Sequence, residues 1–155
     1  LPRAFVVGQV EPVDDFDAAL GWVQGHDVAR AATVEDGPPL AAGEVQAEVR
    51  WRKRSPNHLA LDVTVDREAF LVLSQVWYPS WRAEVDGERV TLRRAYGVLS
   101  GVYLEPGDNE VTFAYQPRWT VVGGWISGIT WIALGSTGLW WAWKGRHRKT
   151  DEAER

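Results

Sequence analysis

The feature that most limits how this chain can fold is a run of 24 uncharged residues, positions 120–143. A helix of this length would extend roughly 36 Å, which exceeds the hydrocarbon core of a bilayer, about 30 Å. The alternative is a buried helix of a soluble domain, and the glycines in the run lower its hydropathy. Buried soluble helices seldom run this long without a charge. The sequence therefore predicts one transmembrane helix over residues 118–143.

The residues around this run also suit a membrane helix. Tryptophan is enriched at both membrane interfaces, and lysine and arginine are retained on the cytoplasmic side. The basic and then acidic tail, residues 144–155, is thus predicted to be cytoplasmic, and residues 1–117 to lie outside the cytoplasm. The predicted anchoring residues are Trp119, Trp125, Trp140, Trp141, Trp143, Lys144, Arg146, Arg148 and Lys149.

Three glycines of the run, Gly124, Gly128 and Gly135, fall on one side of the predicted helix. Small residues four apart let a second helix approach closely, although glycine is also common in membrane helices without this role. The chain has no methionine, and its first residues already resemble a strand. We therefore expect this helix to pack against other transmembrane helices of the same, longer chain.

Residues 1–117 carry the pattern of a β-domain. Apolar and polar residues alternate in several short runs, such as 45–52 and 59–66, and turn signals recur about every ten residues. Asp14 and Asp15 precede an apolar pattern that predicts a short helix with an aspartate cap. The predicted fold is mainly β: an antiparallel β-sandwich of about seven to nine strands with a short N-terminal helix, followed by the transmembrane helix.

The centre of this domain is the stretch from residue 69 to residue 87. A run that is apolar on both faces predicts a central strand, and Pro79 must interrupt it because proline cannot donate a ladder hydrogen bond. Beyond the proline, Trp81 begins an alternating strand with one buried face. The pair Asp86–Gly87 predicts a two-residue hairpin turn.

The residue types argue against several function classes. The net charge of −4 gives no reason to expect nucleic acid, and the absence of cysteine excludes disulfides and thiol chemistry. His26, His58 and His147 lack the spacing of a metal site. No catalytic motif, metal site or cofactor site is predicted in this chain.

The aromatic corner, Trp77, Tyr78 and Trp81, allows two interpretations. The first is packing, with Trp81 turned inward. The second is that one or two rings are exposed and stack on a sugar or on the lipid surface, with Arg82 and Asp86 donating or accepting hydrogen bonds. Arg93 and Arg94 suit either an anionic group such as a phosphate or a solvated strand face.

Several motifs resemble the C-terminal region of YfhO-like bacterial membrane proteins. They are the opening LPRAFVV, LVLSQVWYPSWRAEVDG at 71–87, GVLSGVYLEPG at 97–107 and EVTFAYQP at 110–117. The resemblance implies a β-sandwich followed by a final membrane helix. It also implies kinship with GT-C glycosyltransferases, which use polyprenyl-phosphate-linked sugars outside the cytoplasm. The catalytic carboxylates of those enzymes lie near N-terminal spans, so the resemblance brings no active site to this chain.

The chain departs from the family pattern at three positions. Ser80 replaces a usual glycine, and Tyr96 and Ser100 replace an expected asparagine and arginine. The function expected is an accessory domain of a polytopic, lipid-linked-sugar-dependent glycosyltransferase of the cell envelope. The alternative is a non-catalytic, membrane-anchored module that binds a glycan or a protein at the cell surface.

Overall fold

A computed structural model describes residues 2–117, 127–132, 134 and 136–137. The chain divides into two compact units, Leu1–Gln116 and Pro117–Arg155. The described residues beyond 117 are helical. Within the described ranges, no helix has both the length and the hydropathy that crossing a bilayer requires.

Most of the predicted transmembrane helix, residues 118–143, and the whole predicted tail, residues 144–155, lie outside the described residues. The same is true of all the predicted anchoring residues and of two of the three helix-packing glycines, Gly124 and Gly135. Gly128 is described and lies in the helical part. These parts of the sequence interpretation stay predictions.

The described part of the first unit contains twelve strands and one helix. Their bounds are β1 Ala4–Val7, β2 Gln9–Val13, α1 Phe16–Gly25, β3 Ala31–Glu35, β4 Leu40–Ala41, β5 Ala47–Ser55, β6 His58–Val65, β7 Ala69–Val76, β8 Trp81–Val85, β9 Glu88–Val90, β10 Arg93–Ala95, β11 Leu99–Leu104 and β12 Gly107–Tyr115.

The strands form two sheets. The larger has the order β1-β7-β11-β10-β3-β2-β4 and the smaller β5-β6-β12-β8-β9. A mainly β fold with a short helix is confirmed. The predicted strand number is too low, and the prediction of antiparallel pairing is wrong for β2 and β3, which are parallel. A parallel pair needs a crossover, and α1 provides it.

The main core lies between the two sheets. Alternate residues of β7, such as Leu71 and Leu73, meet alternate residues of the smaller sheet, such as Leu61 and Phe113. All four side chains are almost fully buried. The two-residue period of the strands therefore places one face of each sheet in a shared core.

A second core lies on the other face of the larger sheet, around Phe70 and Val72. Only Gly8 separates β1 from β2, yet these strands stand near opposite margins of the sheet. Consecutive Cα atoms are about 3.8 Å apart, so the margins must meet at Gly8 and the sheet must curl round on itself. The curled face encloses the second core, so the main core covers one face of β7 and the second core covers the other.

Helix α1 is capped as its sequence predicts, and a side-chain hydrogen bond also anchors it to β2. Asp15 accepts a hydrogen bond from the backbone N–H of Ala18 at 2.8 Å, which satisfies one of the free donors of the first turn. Ala19 and Trp22 are its buried residues. The indole N–H of Trp22 donates to Glu11 Oε2 at 2.6 Å and ties the helix to β2.

The predicted hairpin at Asp86–Gly87 is confirmed. The two residues have φ values of 53° and 81°, and Val85 pairs with Glu88 directly across the turn. Asp86 Oδ1 also accepts the backbone N–H of Glu110 at 2.8 Å, which fastens the turn to β12.

Candidate functional site

The aromatic corner is the loop, residues 77–80, that carries the chain from β7 in one sheet to β8 in the other. Backbone hydrogen bonds fix it at both ends: Trp77 N donates to Val98 O at 2.8 Å, and Trp81 N donates to Tyr78 O at 3.0 Å. Gln116 N donates to Ser80 O at 2.8 Å. We call this end of the sandwich the corner end, and the end that carries the Asp86–Gly87 turn the hairpin end.

Trp81 is a core residue. Its side chain is 6% exposed and belongs to the core between the sheets. Its ring centroid lies 5.5 Å from that of Tyr115, on the neighbouring strand β12. The inward orientation predicted from the alternation of β8 is found, and the ring has no surface to offer a ligand.

Trp77 is half-buried, and a cation lies over one face of its ring. The guanidinium of Arg94 lies 4.3 Å from the ring centroid, a cation–π contact. Arg94 is held there by Glu35, whose Oε2 lies 3.0 Å from Nη1, and both side chains are partly buried. Glu35 was not singled out from the sequence, because 59 residues separate it from Arg94 and no local pattern links them. One face of Trp77 is therefore occupied.

Tyr78 is the ring of the corner that faces solvent. Its side chain is 55% exposed, and its ring lies 6.3 Å from that of Tyr115, tilted by 38°. Tyrosine presents an apolar face and a hydroxyl together, which suits stacking on a sugar or an interfacial position in a membrane. Of the three predicted rings, Tyr78 is the one available for contact.

Of the two polar residues predicted beside the rings, Arg82 lies at the aromatic corner and Asp86 does not. Arg82 Nη1 donates to the carbonyls of Pro79 at 3.0 Å and Trp81 at 3.2 Å, so it braces the corner. Asp86 lies five residues after Trp81, at the hairpin end. At about 3.3 Å per strand residue it is roughly 16 Å from Trp81. The five predicted residues thus do not form one site.

The predicted arginine pair is engaged within the protein. Arg93 Nη1 donates to the backbone carbonyl of Asp36, and Arg94 is neutralised by Glu35. A phosphate would have to compete with these partners. The pair is thereby better explained as a link between β10 and the residues at the end of β3.

Asp86 lines a separate cavity of about 510 Å³ at the hairpin end. Leu40, Val90 and Leu104 contribute apolar surface, and Glu88 is a second carboxylate beside Asp86. The lining of this cavity therefore combines apolar side chains with carboxylates. The part of the chain that the structure describes brings no group of three or more His, Asp or Glu residues close enough to hold a metal ion.

Two of the three histidines, His26 and His58, are described. His26 caps α1, where its ring stacks on Trp22 at 4.2 Å and its Nδ1 lies 2.8 Å from the carbonyl oxygen of Trp22. His58 begins β6, directly after the turn at Asn57. His147 lies outside the described residues.

The three departures from the family pattern have different structural settings. Ser80 does not have a positive φ, so its backbone does not require a glycine. Tyr96 has a φ of 49°, a conformation that asparagine adopts more readily than tyrosine. Its hydroxyl oxygen lies 2.8 Å from the carbonyl oxygen of Val28 and 2.9 Å from that of Ala31, so its single proton is shared between two acceptors and fixes the loop after α1. Ser100 is buried in β11.

Because the phenol of Tyr96 is partly buried, we expect the folded protein to lose stability at alkaline pH. Burial, and then the nearby Asp27 carboxylate, raise the pKa of the Tyr96 phenol well above its usual value near 10. Below pH 10 the phenol is protonated in both the folded and the unfolded state, and the stabilisation that it gives the folded state is complete. Above pH 10 the unfolded state ionises first, so the free energy of unfolding falls as pH rises.

We expect Tyr96→Phe to lower the free energy of unfolding at pH 7 by roughly 0.5–1.5 kcal/mol and to reduce the further fall above pH 10. Part of the fall should remain, because burial also raises the pKa of Tyr103. Urea unfolding between pH 7 and 11 measures both effects. Tyr78→Phe is the control, since it removes an exposed phenol and leaves Tyr96 in place. Equal alkaline loss in wild type and Tyr96→Phe would contradict the assignment.

Residues 41–127 match a protein-family model described as "Bacterial membrane protein YfhO". The match includes the strands from β5 to β12 and with them the whole aromatic corner. It continues past Gln116, the last residue of the first unit, into the uncharged run. Searches of curated proteins and of solved structures return no match.

Proposed function

This chain belongs to the YfhO family of bacterial membrane proteins, and on that premise we propose that it is an extracytoplasmic domain and a membrane span of a polytopic protein. Residues 1–117 form the extracytoplasmic β-sandwich, residues 118–143 cross the cell membrane, and residues 144–155 are cytoplasmic. The observation that carries this proposal is the extent of the family match, which runs from the sandwich into the uncharged run without interruption.

The described helical residues support the proposed span. Ile129, Trp131, Ile132 and Leu134 are each more than 60% exposed, as lipid-facing side chains would be. The hydroxyl groups of Ser136 and Thr137 donate to the carbonyls of Ile132 and Leu134, at 2.6 and 2.9 Å. Polar side chains in hydrocarbon need such partners within the protein. Membrane lipid and the other spans of the same chain are the proposed surroundings of this helix.

We further propose that the intact protein is a glycosyltransferase that uses a sugar linked to polyprenyl phosphate, with this domain accessory to catalysis. A lipid-linked sugar is presented at the membrane surface, and Tyr78 is an exposed aromatic ring three residues from the buried Trp81 that holds the corner in place. A ring on a rigid loop loses little conformational freedom when it stacks on a sugar. The domain would position the sugar or its glycan acceptor near the membrane.

The test is sugar transfer from a polyprenyl-phosphate-linked donor by membranes that contain the intact protein. We expect transfer by the wild type and a two- to tenfold lower kcat/KM for Tyr78→Ala. This range corresponds to the roughly 0.5–1.5 kcal/mol that an aromatic stacking contact contributes. Tyr78→Phe keeps the ring and should keep most of the activity.

Two results would contradict the proposal at different levels. Absence of transfer by the correctly folded wild type would reject the transferase and favour a non-catalytic module that binds a glycan or protein. Equal transfer by wild type and Tyr78→Ala would retain the transferase but remove the aromatic corner from its mechanism.

A further inference from the structure

Large apolar side chains are strongly exposed at five positions in residues 2–117, and all five lie on α1, on the loop before β11, or at the end of β7 and in the aromatic corner that follows it. Single exposed apolar residues are normal, whereas a contiguous group marks a contact surface. We call this group the apolar patch. Its members and their exposed fractions are Phe16 46%, Leu20 48%, Val76 65%, Tyr78 55% and Val98 45%.

The first half of the patch joins α1 to the loop before β11. Phe16 and Leu20 are four residues apart in α1 and share one side of the helix. Phe16 packs on Gly97 so closely that a Cβ there would lie 2.6 Å from Phe16 Cδ2. Val98 follows directly and is itself exposed, so the loop carries an apolar side chain next to the residue that Phe16 contacts.

The second half of the patch joins this loop to the aromatic corner. The carbonyl of Val98 accepts the backbone N–H of Trp77 at 2.8 Å. Val76 and Tyr78 are the neighbours of Trp77 along the chain, and both are more than half exposed. The patch therefore links α1, through the loop before β11, to the aromatic corner.

The chain leaves the sandwich at this same end. Gln116 is bonded to Ser80, two residues after Tyr78, and the uncharged run begins at residue 120. Four residues extend at most about 14 Å even when fully stretched. If the run enters a bilayer, the tether keeps the corner end close to the membrane surface.

We propose that the apolar patch rests in the headgroup layer of the membrane that residues 118–143 cross. The inference depends on the membrane span of the proposed function and is independent of the transferase. Apolar burial and an interfacial tyrosine favour this position. The neighbours of Phe16 are acidic, namely Asp14, Asp15 and Asp17. Electrostatic attraction to anionic lipid therefore does not contribute to the contact.

The test uses single nitroxide labels on the chain in phosphatidylcholine vesicles. Each label reacts with one introduced cysteine only, because the sequence contains no cysteine of its own. Labels at Leu20→Cys and Val98→Cys should be more accessible to oxygen, which concentrates in lipid, than to a water-soluble nickel complex. A label at Asp108→Cys, at the hairpin end, should show the opposite ratio. A label at Ile132→Cys reports separately on the span.

A pair of substitutions on α1 tests whether the patch itself makes the contact. Leu20→Asp should lower the oxygen-to-nickel ratio of the Val98 label several-fold, because a carboxylate resists transfer into the headgroup layer. Ala18→Asp is the matched control: Ala18 is also exposed on α1 but lies about 200° round the helix from Leu20, and it should leave the ratio unchanged. Far-UV circular dichroism confirms that both variants fold.

Three results would overturn the inference. Patch labels as open to nickel as the Asp108 label, with the Ile132 label in lipid, would show a membrane-anchored domain that stands clear of the surface. Patch labels shielded from both reagents would show that protein covers the patch, either a second copy or another segment. An Ile132 label in water would remove the span and this inference together.

Discussion

Replacing Trp81 with alanine is expected to lower the free energy of unfolding of the sandwich by about 3–5 kcal/mol. The indole is 6% exposed and fills the core between the two sheets beside Tyr115. Its removal leaves a cavity that the neighbouring strands can only partly close. Urea unfolding in detergent, followed by far-UV circular dichroism, measures the change.

Tyr78→Ala is the matched comparison for this prediction. Tyr78 lies three residues away in the same corner but is 55% exposed, so its loss should cost about 0.5 kcal/mol. Equal destabilisation by the two substitutions would show that Trp81 is not part of the core. The difference also decides which residue probes function: a Trp81 variant reports on folding, whereas a Tyr78 variant reports on contact.

Replacing Gly8 with alanine is expected to destabilise the sandwich by about 1–3 kcal/mol or more. A Cβ at this position would lie 1.9 Å from the backbone oxygen of Gly43 and 2.5 Å from Val45 Cγ2. Backbone cannot move aside as a flexible side chain can. The shift would also disturb the hydrogen bond from Ala42 N to Gly8 O, 2.9 Å long, at the point where the curled sheet closes.

The control for this prediction is Gly21→Ala, the same chemical change in α1. No atom lies within 4 Å of a Cβ built on Gly21, and alanine is the better helix former. We expect this variant to be more stable than wild type by roughly 0.5–1 kcal/mol. The same urea titration serves for both variants. A neutral Gly8→Ala would contradict the close approach of the two margins of the sheet.

Features that depend on neighbouring residues could be predicted from the sequence. Asp86–Gly87 forms the expected turn, because both positions need a positive φ that few other residue pairs adopt as readily. Asp15 caps α1 because its side chain reaches the free N–H groups of the first turn. Trp81 points inward because side chains alternate along a strand.

Features that depend on distant residues could not be predicted in this way. Glu35 and Arg94 meet only because β3 and β10 are neighbours in the larger sheet. The sequence groups Asp86 with the aromatic corner because the two are close along the chain, but the length of β8 brings Asp86 to the other end of the sandwich. Residues of the same loop or strand therefore need not belong to the same site.

Local sequence patterns are enough to predict the β-rich character of residues 2–117, the cap of α1, the hairpin turn and the inward face of β8, since each follows from backbone preferences and a two-residue period. The parallel pairing of β2 with β3, the closure at Gly8 and the position of the apolar patch at the corner end become visible only in the folded chain. These depend on which strands become neighbours. That choice is set by the free energy of burying the whole core, which no local pattern encodes.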